Sequence, residues 1–472
     1  MPERPPFSAV GATTWRLDDA PIPLSGEQAF SWRQSLLLAN MAGFLGGYFV
    51  MYNQWLQLAW GLLLATLWLL AGGHENLAEA LRRDRWMQAA AVLWAALLLR
   101  SSIFDSPGAT LTTLWLGWGN SILLLGFLLT LWQAAKRPDI VSAIGKPLVA
   151  MAAVAACVSL GVFYTVHPEA VFGARLRNWF VYGGWNSVNS GLTFGFATCW
   201  AAAGWMEATS TRNRRRWLLA LILLDAATIL TLSRGALLAL LAGHLILLLA
   251  SGWRRTWRPL ATLASILILF QLSAPLISHL AAQDASKRRG ISNEAAMQQI
   301  GDAVVSSNPM QTAMARSDNG RFLIYGAALG SMTTWQDWLL GKGMWADDDC
   351  WSCSLHWYPE HLHGVFWDTF VHGGLPGILG LGTLVFWGLS RAYFLAKRGE
   401  VIWLMLSGYG IAGLLFDGDS VWALVTVARY EPLLFWTPLV IATARFTQLT
   451  LPTAAGSSAR TSMPLGPLWR PR

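Results

Sequence analysis

The chain of 472 residues is 54% hydrophobic and only 13% charged, with a formal net charge of +8, and apolar runs of about 18 residues or more recur along it. This balance excludes a soluble globular domain and specifies an all-α, polytopic integral membrane protein. The positive charge gathers in short links between apolar runs, as cytoplasmic loops do, which excludes nucleic acid as a partner.

Residues 1–33 form a Pro-rich polar leader without a small-residue cleavage signature, so no cleaved signal peptide is expected and the leader is placed in the cytoplasm. Hydropathy predicts twelve transmembrane helices, at 34–52, 54–72, 86–104, 110–132, 147–165, 187–209, 217–232, 236–252, 259–280, 374–395, 401–417 and 420–445. Alternate links carry Arg82/Arg83/Arg85, Lys136/Arg137/Lys146, Arg212/Arg214/Arg215/Arg216, Arg254/Arg255/Arg258 and Lys397/Arg398. Both termini are therefore expected in the cytoplasm. The chain divides into N-terminal helices with a first outer loop (34–185), a core (186–395) that includes a long periplasmic loop at 281–361, C-terminal helices (396–450) and a disordered cytoplasmic tail (451–472). The many tryptophans suit belts at the two bilayer interfaces.

Four of the eight histidines lie at His356, His361, His363 and His372, at the entry to the tenth span. A continuous helix from His361 to Phe394 would reach about 50 Å, against a hydrocarbon core of about 30 Å. Gly373-Gly374-Leu375-Pro376-Gly377 is where it must break. Residues 361–372 are then expected as a short interfacial helix on the outer side, with His363 near its start. A histidine there offers a base that titrates near neutrality. Two positions apart on a regular helix, His361 and His363 would not share a face.

Ser233-Arg234-Gly235 interrupts two apolar runs, and its arginine is either functional or a snorkelling residue at a tight helix turn. Arg321 follows Asp318 and Asn319, either of which would cap a helix presenting Arg321 in its first turn, where a guanidinium and free amides favour an anion. Arg175 and Arg177 in the other outer loop are weaker candidates of the same kind. Cys350 and Cys353, with Asp347, Asp348 and Asp349 before them, lack a complete zinc ligand set and read as a disulfide or free thiols, so no metal is assigned. Cys157 and Cys199 read as packing residues, and Asp225 and His244 as either a polar pathway or groups satisfied inside the helices.

Leu232-Ser-Arg-Gly235, Gly320-Arg-Phe-Leu-Ile-Tyr325 and His363 followed by Phe-Trp-Asp and Gly374-Leu-Pro-Gly377 occur in the order and sidedness of one known family. Over roughly Asn186 to Phe394 the chain resembles the O-antigen ligase family, which shares a core domain with O-antigen polymerases and bacterial protein O-oligosaccharyltransferases. The resemblance implies an inner-membrane glycosyltransferase, without metal or other cofactor, that moves a glycan from an undecaprenyl-pyrophosphate carrier to an acceptor hydroxyl on the periplasmic side. Lipid A-core is the first acceptor, a pilin-like protein the alternative and a growing glycan the third. Carried over by position, Arg234 and Arg321 would bind pyrophosphate and His363 would be the catalytic base, with Arg175, Arg177, His361 and Tyr325 as further anion or substrate contacts. The family usually follows this histidine with asparagine, whereas Gly364 stands here. A flippase for lipid-linked glycans, the rival of a different class, would not need a long outer loop carrying a base and arginines.

Overall fold

The computed structural model describes residues 32–51, 53–103, 110–137, 139–166, 175–181, 187–289, 321–344 and 361–450. The leader, the tail, Asp318 and Asn319, Asp347 to Asp349, Cys350, Cys353 and His356 lie outside the described residues. The described residues are helix and loop, with no strand among them.

The first half comprises α1 (Trp32–Gly47), α2 (Gln54–Leu70), α3 (Gly73–Arg83), α4 (Arg85–Ile103), α5 (Leu111–Ala134) and α6 (Ile140–Val166). The second begins with α7 (Ser187–Glu207), α8 (Thr211–Leu230), α9 (Arg234–Ser251) and α10 (Trp253–Arg289). Two short helices follow, α11 (Arg321–Gly330) and α12 (Trp335–Leu340), then α13 (Val365–Lys397), α14 (Ile402–Phe416), a π-helical turn at Pro432–Trp436 and α15 (Thr437–Thr450). Of these, α4, α5, α6, α9 and α13 are long and apolar enough to cross a membrane, and α2 and α14 are apolar but shorter.

Helix α7 forms the centre of the second half, buried from Asn189 to Gly204 and packed along α6, α8, α9 and α14. Its small residues let neighbours approach closely. Gly195 takes the Tyr409 ring of α14 against its backbone, and the Tyr409 hydroxyl donates to Leu192 O at 2.8 Å. Cys199 is buried here, as a packing residue should be, whereas Cys157 is exposed on α6.

The expected break in the tenth span is present. Gly374 adopts φ 63° and ψ −162° inside α13, separating a short helix from Val365 from the long piece that ends at Lys397. Only glycine enters that region readily, and a side chain at Gly374 would meet the backbone of Leu339 and Gly341. The short helix begins at Val365 rather than at residue 361, so His361 and His363 precede it. Lys342 N donates to Val371 O (2.8 Å), Gly343 N to His372 O (2.9 Å), and Arg100 Nη2 from the end of α4 to Gly341 O (2.8 Å). These bonds clamp its far end. Ile324, Ala328, Met332, Leu362 and Val371 make a small apolar core that seats α11 on it. The long connection between α10 and α13 is thus partly structured.

The twelfth predicted span, 420–445, needs correction. Residues 417–430 are non-helical, and the helical stretch runs from the π-turn at Pro432 through Thr450. Their hydropathy reflects burial in protein rather than in lipid, and irregular backbone is tolerated there only if its polar groups are satisfied. Asn120 on α5 donates to Val425 O (2.6 Å) and accepts from Val425 N (2.9 Å), while Ser121 donates to Trp422 O (3.0 Å). Buried Glu431 accepts from Asp419 N and from the Thr426 hydroxyl, both at 2.6 Å.

Candidate active site

The end of α14 is where the separate motifs meet. Asp417, the first residue past that helix, accepts from His363 Nδ1 at 3.0 Å and from Gly418 N at 2.9 Å through Oδ1, while Oδ2 lies 3.9 Å from Arg321 Nη2. Its side chain is only 2% exposed. Burial alone would raise its pKa, but the His363 hydrogen bond and the charges of His361, His363 and Arg321 outweigh it and hold the carboxyl at about 2.

An ionised carboxylate is an acceptor only, so His363 Nδ1 carries a proton toward it. In the neutral ring Nε2 then keeps the lone pair of a base. This is the relation by which a carboxylate orients a catalytic histidine.

The backbone fixes the ring further. His363 has φ +52°, and the other non-glycine residues at positive φ among the described residues are Leu232 and Arg429. Such conformations store strain of about 1–3 kcal/mol each and gather at functional turns. Here Leu232 precedes Ser233-Arg234, and Arg429 lies in the loop that follows Asp417. Tyr325 donates its hydroxyl to His363 O (3.1 Å), and its ring stacks on Trp367 with centroids 5.1 Å apart. Burial pushes the Tyr325 phenol up, which keeps it a donor.

His361 corrects the helix argument. Because residues 361–364 lie outside the helix, spacing does not separate the two histidines: their rings are 4.1 Å apart, and His361 Nδ1 accepts from His363 N at 3.1 Å. His361, His363 and Asp417 each offer a ligand atom within 4.8 Å of one another, a constellation that could hold a metal ion. The hydrogen bonds described engage the Nδ1 atoms of both histidines, so a metal would have to use Nε2 or break them.

Arg321 opens α11, in the first turn as expected. Arg234 opens α9, with Ser233 as N-cap accepting from Ala236 N at 3.4 Å. The same end of α14 reaches the Arg234 turn and the His363 segment: a β-carbon on Gly235 would stand 3.0 Å from Phe416 Cβ, and one on Gly364 would stand 3.7 Å from Leu415 O. Gly364 has an extended φ of 178° and leaves the short helix without a side-chain cap. Arg175 braces the first turn, donating Nε to Thr231 O at 3.0 Å while Leu176 N donates to Leu230 O at 2.9 Å; Arg177 is exposed on the same segment. His244 Nδ1 contacts Leu240 O of its own helix, whereas neither oxygen of Asp225 has a hydrogen-bond partner among the described residues.

Residues 217–382 match the family model of the O-antigen ligase. The match bears out the resemblance carried by the three motifs and supports a membrane enzyme that transfers glycans. No curated protein matches the chain. The O-antigen ligase match takes in Arg234, Arg321, His361 and His363 and ends before α14, so reasoning from the family motifs missed Asp417 as a member of this candidate site. The available signal was an acidic Asp417-Gly-Asp419 directly behind an apolar run.

Proposed function

We propose that the protein transfers a glycan from an undecaprenyl-pyrophosphate carrier to an acceptor hydroxyl on the periplasmic side of the bacterial inner membrane, with lipid A-core as the acceptor. The observation that carries this reading is the buried Asp417 holding His363 Nδ1 at 3.0 Å with Arg321 at its other oxygen. A base and a fixed cation at one carboxylate are what an attack by a hydroxyl on a phosphate-activated sugar requires.

In this mechanism His363 Nε2 removes the proton of the acceptor hydroxyl as its oxygen attacks the anomeric carbon. The bond from that carbon to the carrier's phosphate oxygen breaks, and the electron pair leaves with pyrophosphate. Arg321 and Arg234 meet the developing charge through forked, charge-assisted hydrogen bonds. Asp417 stabilises the imidazolium that results. Attack opposite the leaving group inverts an α-linked sugar.

The arginine-rich links support this sidedness, since a bias of positive charge toward the cytoplasm would put both termini inside and the His363 end of α13 outside. The deciding experiment is reconstitution with a lipid-linked glycan and three acceptors offered separately: lipid A-core, a pilin and a second lipid-linked unit. Product on lipid A-core is expected. Product only on the pilin or the lipid-linked unit would reassign the enzyme as a protein O-oligosaccharyltransferase or a polymerase, and carrier movement without product would leave a flippase.

A further inference from the structure

Against the short helix lies a cavity of about 970 Å³, walled by α2, α5, the loop after Asp417 and the helix itself. Its lining mixes two chemistries. Leu62, Leu116 and Ile122 line it and are 60%, 58% and 55% exposed in the bare protein, so this wall opens sideways to the hydrocarbon. Asp368, His372 and Asp419 line it as well. Asp368 is 4% exposed and bonded through Oδ1 to His372 Nδ1 at 2.9 Å. Trp55 and Trp115, within the first two turns of α2 and α5, line it too and are 72% and 71% exposed, the position indoles take at a bilayer interface. Leu62 and Ile122 each follow their tryptophan by seven residues, about 10 Å further along the helix. The cavity therefore joins an apolar wall open to the hydrocarbon with a buried polar patch, as a lipid with a polar head requires.

Charge selects the head. The residues lining the cavity include two carboxylates, Asp368 and Asp419, and neither Lys nor Arg. A phosphate placed there would be desolvated against like charge, whereas sugar hydroxyls donate to carboxylates and lay their faces on indoles.

We propose that this cavity binds a neutral glycolipid, its hydroxyl-rich and phosphate-free head at Asp368, His372 and Asp419 and its alkyl chain along Leu62 and Ile122. The ligand is defined by the cavity walls, whether or not His363 is a base.

The test uses the full chain in nanodiscs carrying one of two photoreactive lipids with identical acyl chains, a diglucosyl diacylglycerol or a phosphatidylglycerol, with crosslinks mapped by mass spectrometry and no glycan donor present. The glycolipid should label the α2 and α5 peptides severalfold more than the phospholipid. Gly119 lines the cavity, and a β-carbon there meets nothing within 4 Å, so Gly119→Leu projects into the open space and should abolish the excess labelling. Asp368→Asn should narrow the preference between heads. Equal labelling by the two lipids, labelling indifferent to Gly119→Leu, or an undiminished preference in Asp368→Asn would each overturn the proposal. Because binding is read without turnover, its failure is distinct from failure of the transferase assignment.

Discussion

Asp417 and His363 lie 54 positions apart in the chain and meet at 3.0 Å, with the carboxylate almost wholly buried. In the proposed mechanism the pair orients a histidine at a strained backbone position as the base. Asp417→Asn keeps the shape but can present an amide N–H to Nδ1, which favours the wrong tautomer. Turnover should fall on the order of 10²–10⁴-fold, as it should for His363→Ala, with carrier affinity changed much less. A single-turnover assay on purified variants, with carrier binding measured separately, checks this. Near-normal turnover in either variant excludes the mechanism.

The arginines should behave differently. Lysine keeps the charge at positions 234 and 321 but loses the planar fork, so Arg234→Lys and Arg321→Lys should weaken binding of the lipid carrier as well as transfer. Arg321→Lys should be the more severe, because Arg321 also faces Asp417 Oδ2. Titration of each variant with the pyrophosphate carrier measures it, and unchanged affinity in both would remove pyrophosphate from their role.

His361 tests the correction made by the structure. Helical spacing predicts a mild effect for His361→Ala. The hydrogen bond from His363 N to His361 Nδ1 instead makes His361 part of what holds His363 in its left-handed conformation. The variant should lose turnover by roughly tenfold or more, the equivalent of about 1.4 kcal/mol. His361→Asn, which keeps an acceptor in reach, should recover part of it.

Much of this was legible in the sequence, and the rest failed for physical reasons. Two glycines and a proline in five residues cannot sustain a helix, so the bend at Gly374 could be read directly. The turn at Ser233 and the start of α11 at Arg321 were legible because capping residues and apolar runs bracket them. The loop after Asp417 was not: Val421, Trp422, Leu424 and Val425 look like membrane residues, yet Asn120 and Ser121 satisfy their backbone inside the protein. Hydropathy reports burial, not which solvent is replaced. The same error hid Asp417, which looked like the last residue of a span. Two ion pairs, one buried and one half-buried, were equally invisible. Arg391 bonds Asp84 at 2.5 Å between α13 and the start of α4, and Arg445 holds Glu400 through Nε and Nη2 at 2.5 and 2.6 Å. Each partner comes from a different element, and sequence spacing carries no trace of the contact.

Metal dependence is open to a direct test. His361, His363 and Asp417 could ligate an ion, but hydrogen bonds already occupy Nδ1 of both histidines. Transfer is expected to persist in excess EDTA. Loss of activity that one divalent cation specifically restores would reassign the three residues as ligands.

The last prediction concerns the loop that carries Asp417. Burial raises the Glu431 carboxyl to about 7, and Asp417 nearby pushes the same way, while hydrogen bonds from Thr426 and from the amides of Asp419 and Glu431 itself oppose it. Below its unfolded value of 4.5 Glu431 is protonated in both states. Between 4.5 and about 7 the unfolded chain has released that proton while the folded protein keeps it, so this group makes the fold less stable as pH rises through that window. Above about 7 its contribution is constant. Asp417 has the opposite sign, but its contribution is present above 3.8 and is lost only as pH falls from there toward about 2, outside the window. Glutamine at 431 keeps the shape and removes the titration. The melting temperature in detergent should therefore fall less between pH 4.5 and 7 for Glu431→Gln than for the unmodified protein. Parallel curves for the two would show that Glu431 does not titrate in that range and would remove it as a pH-sensitive brace of the Asp417 loop.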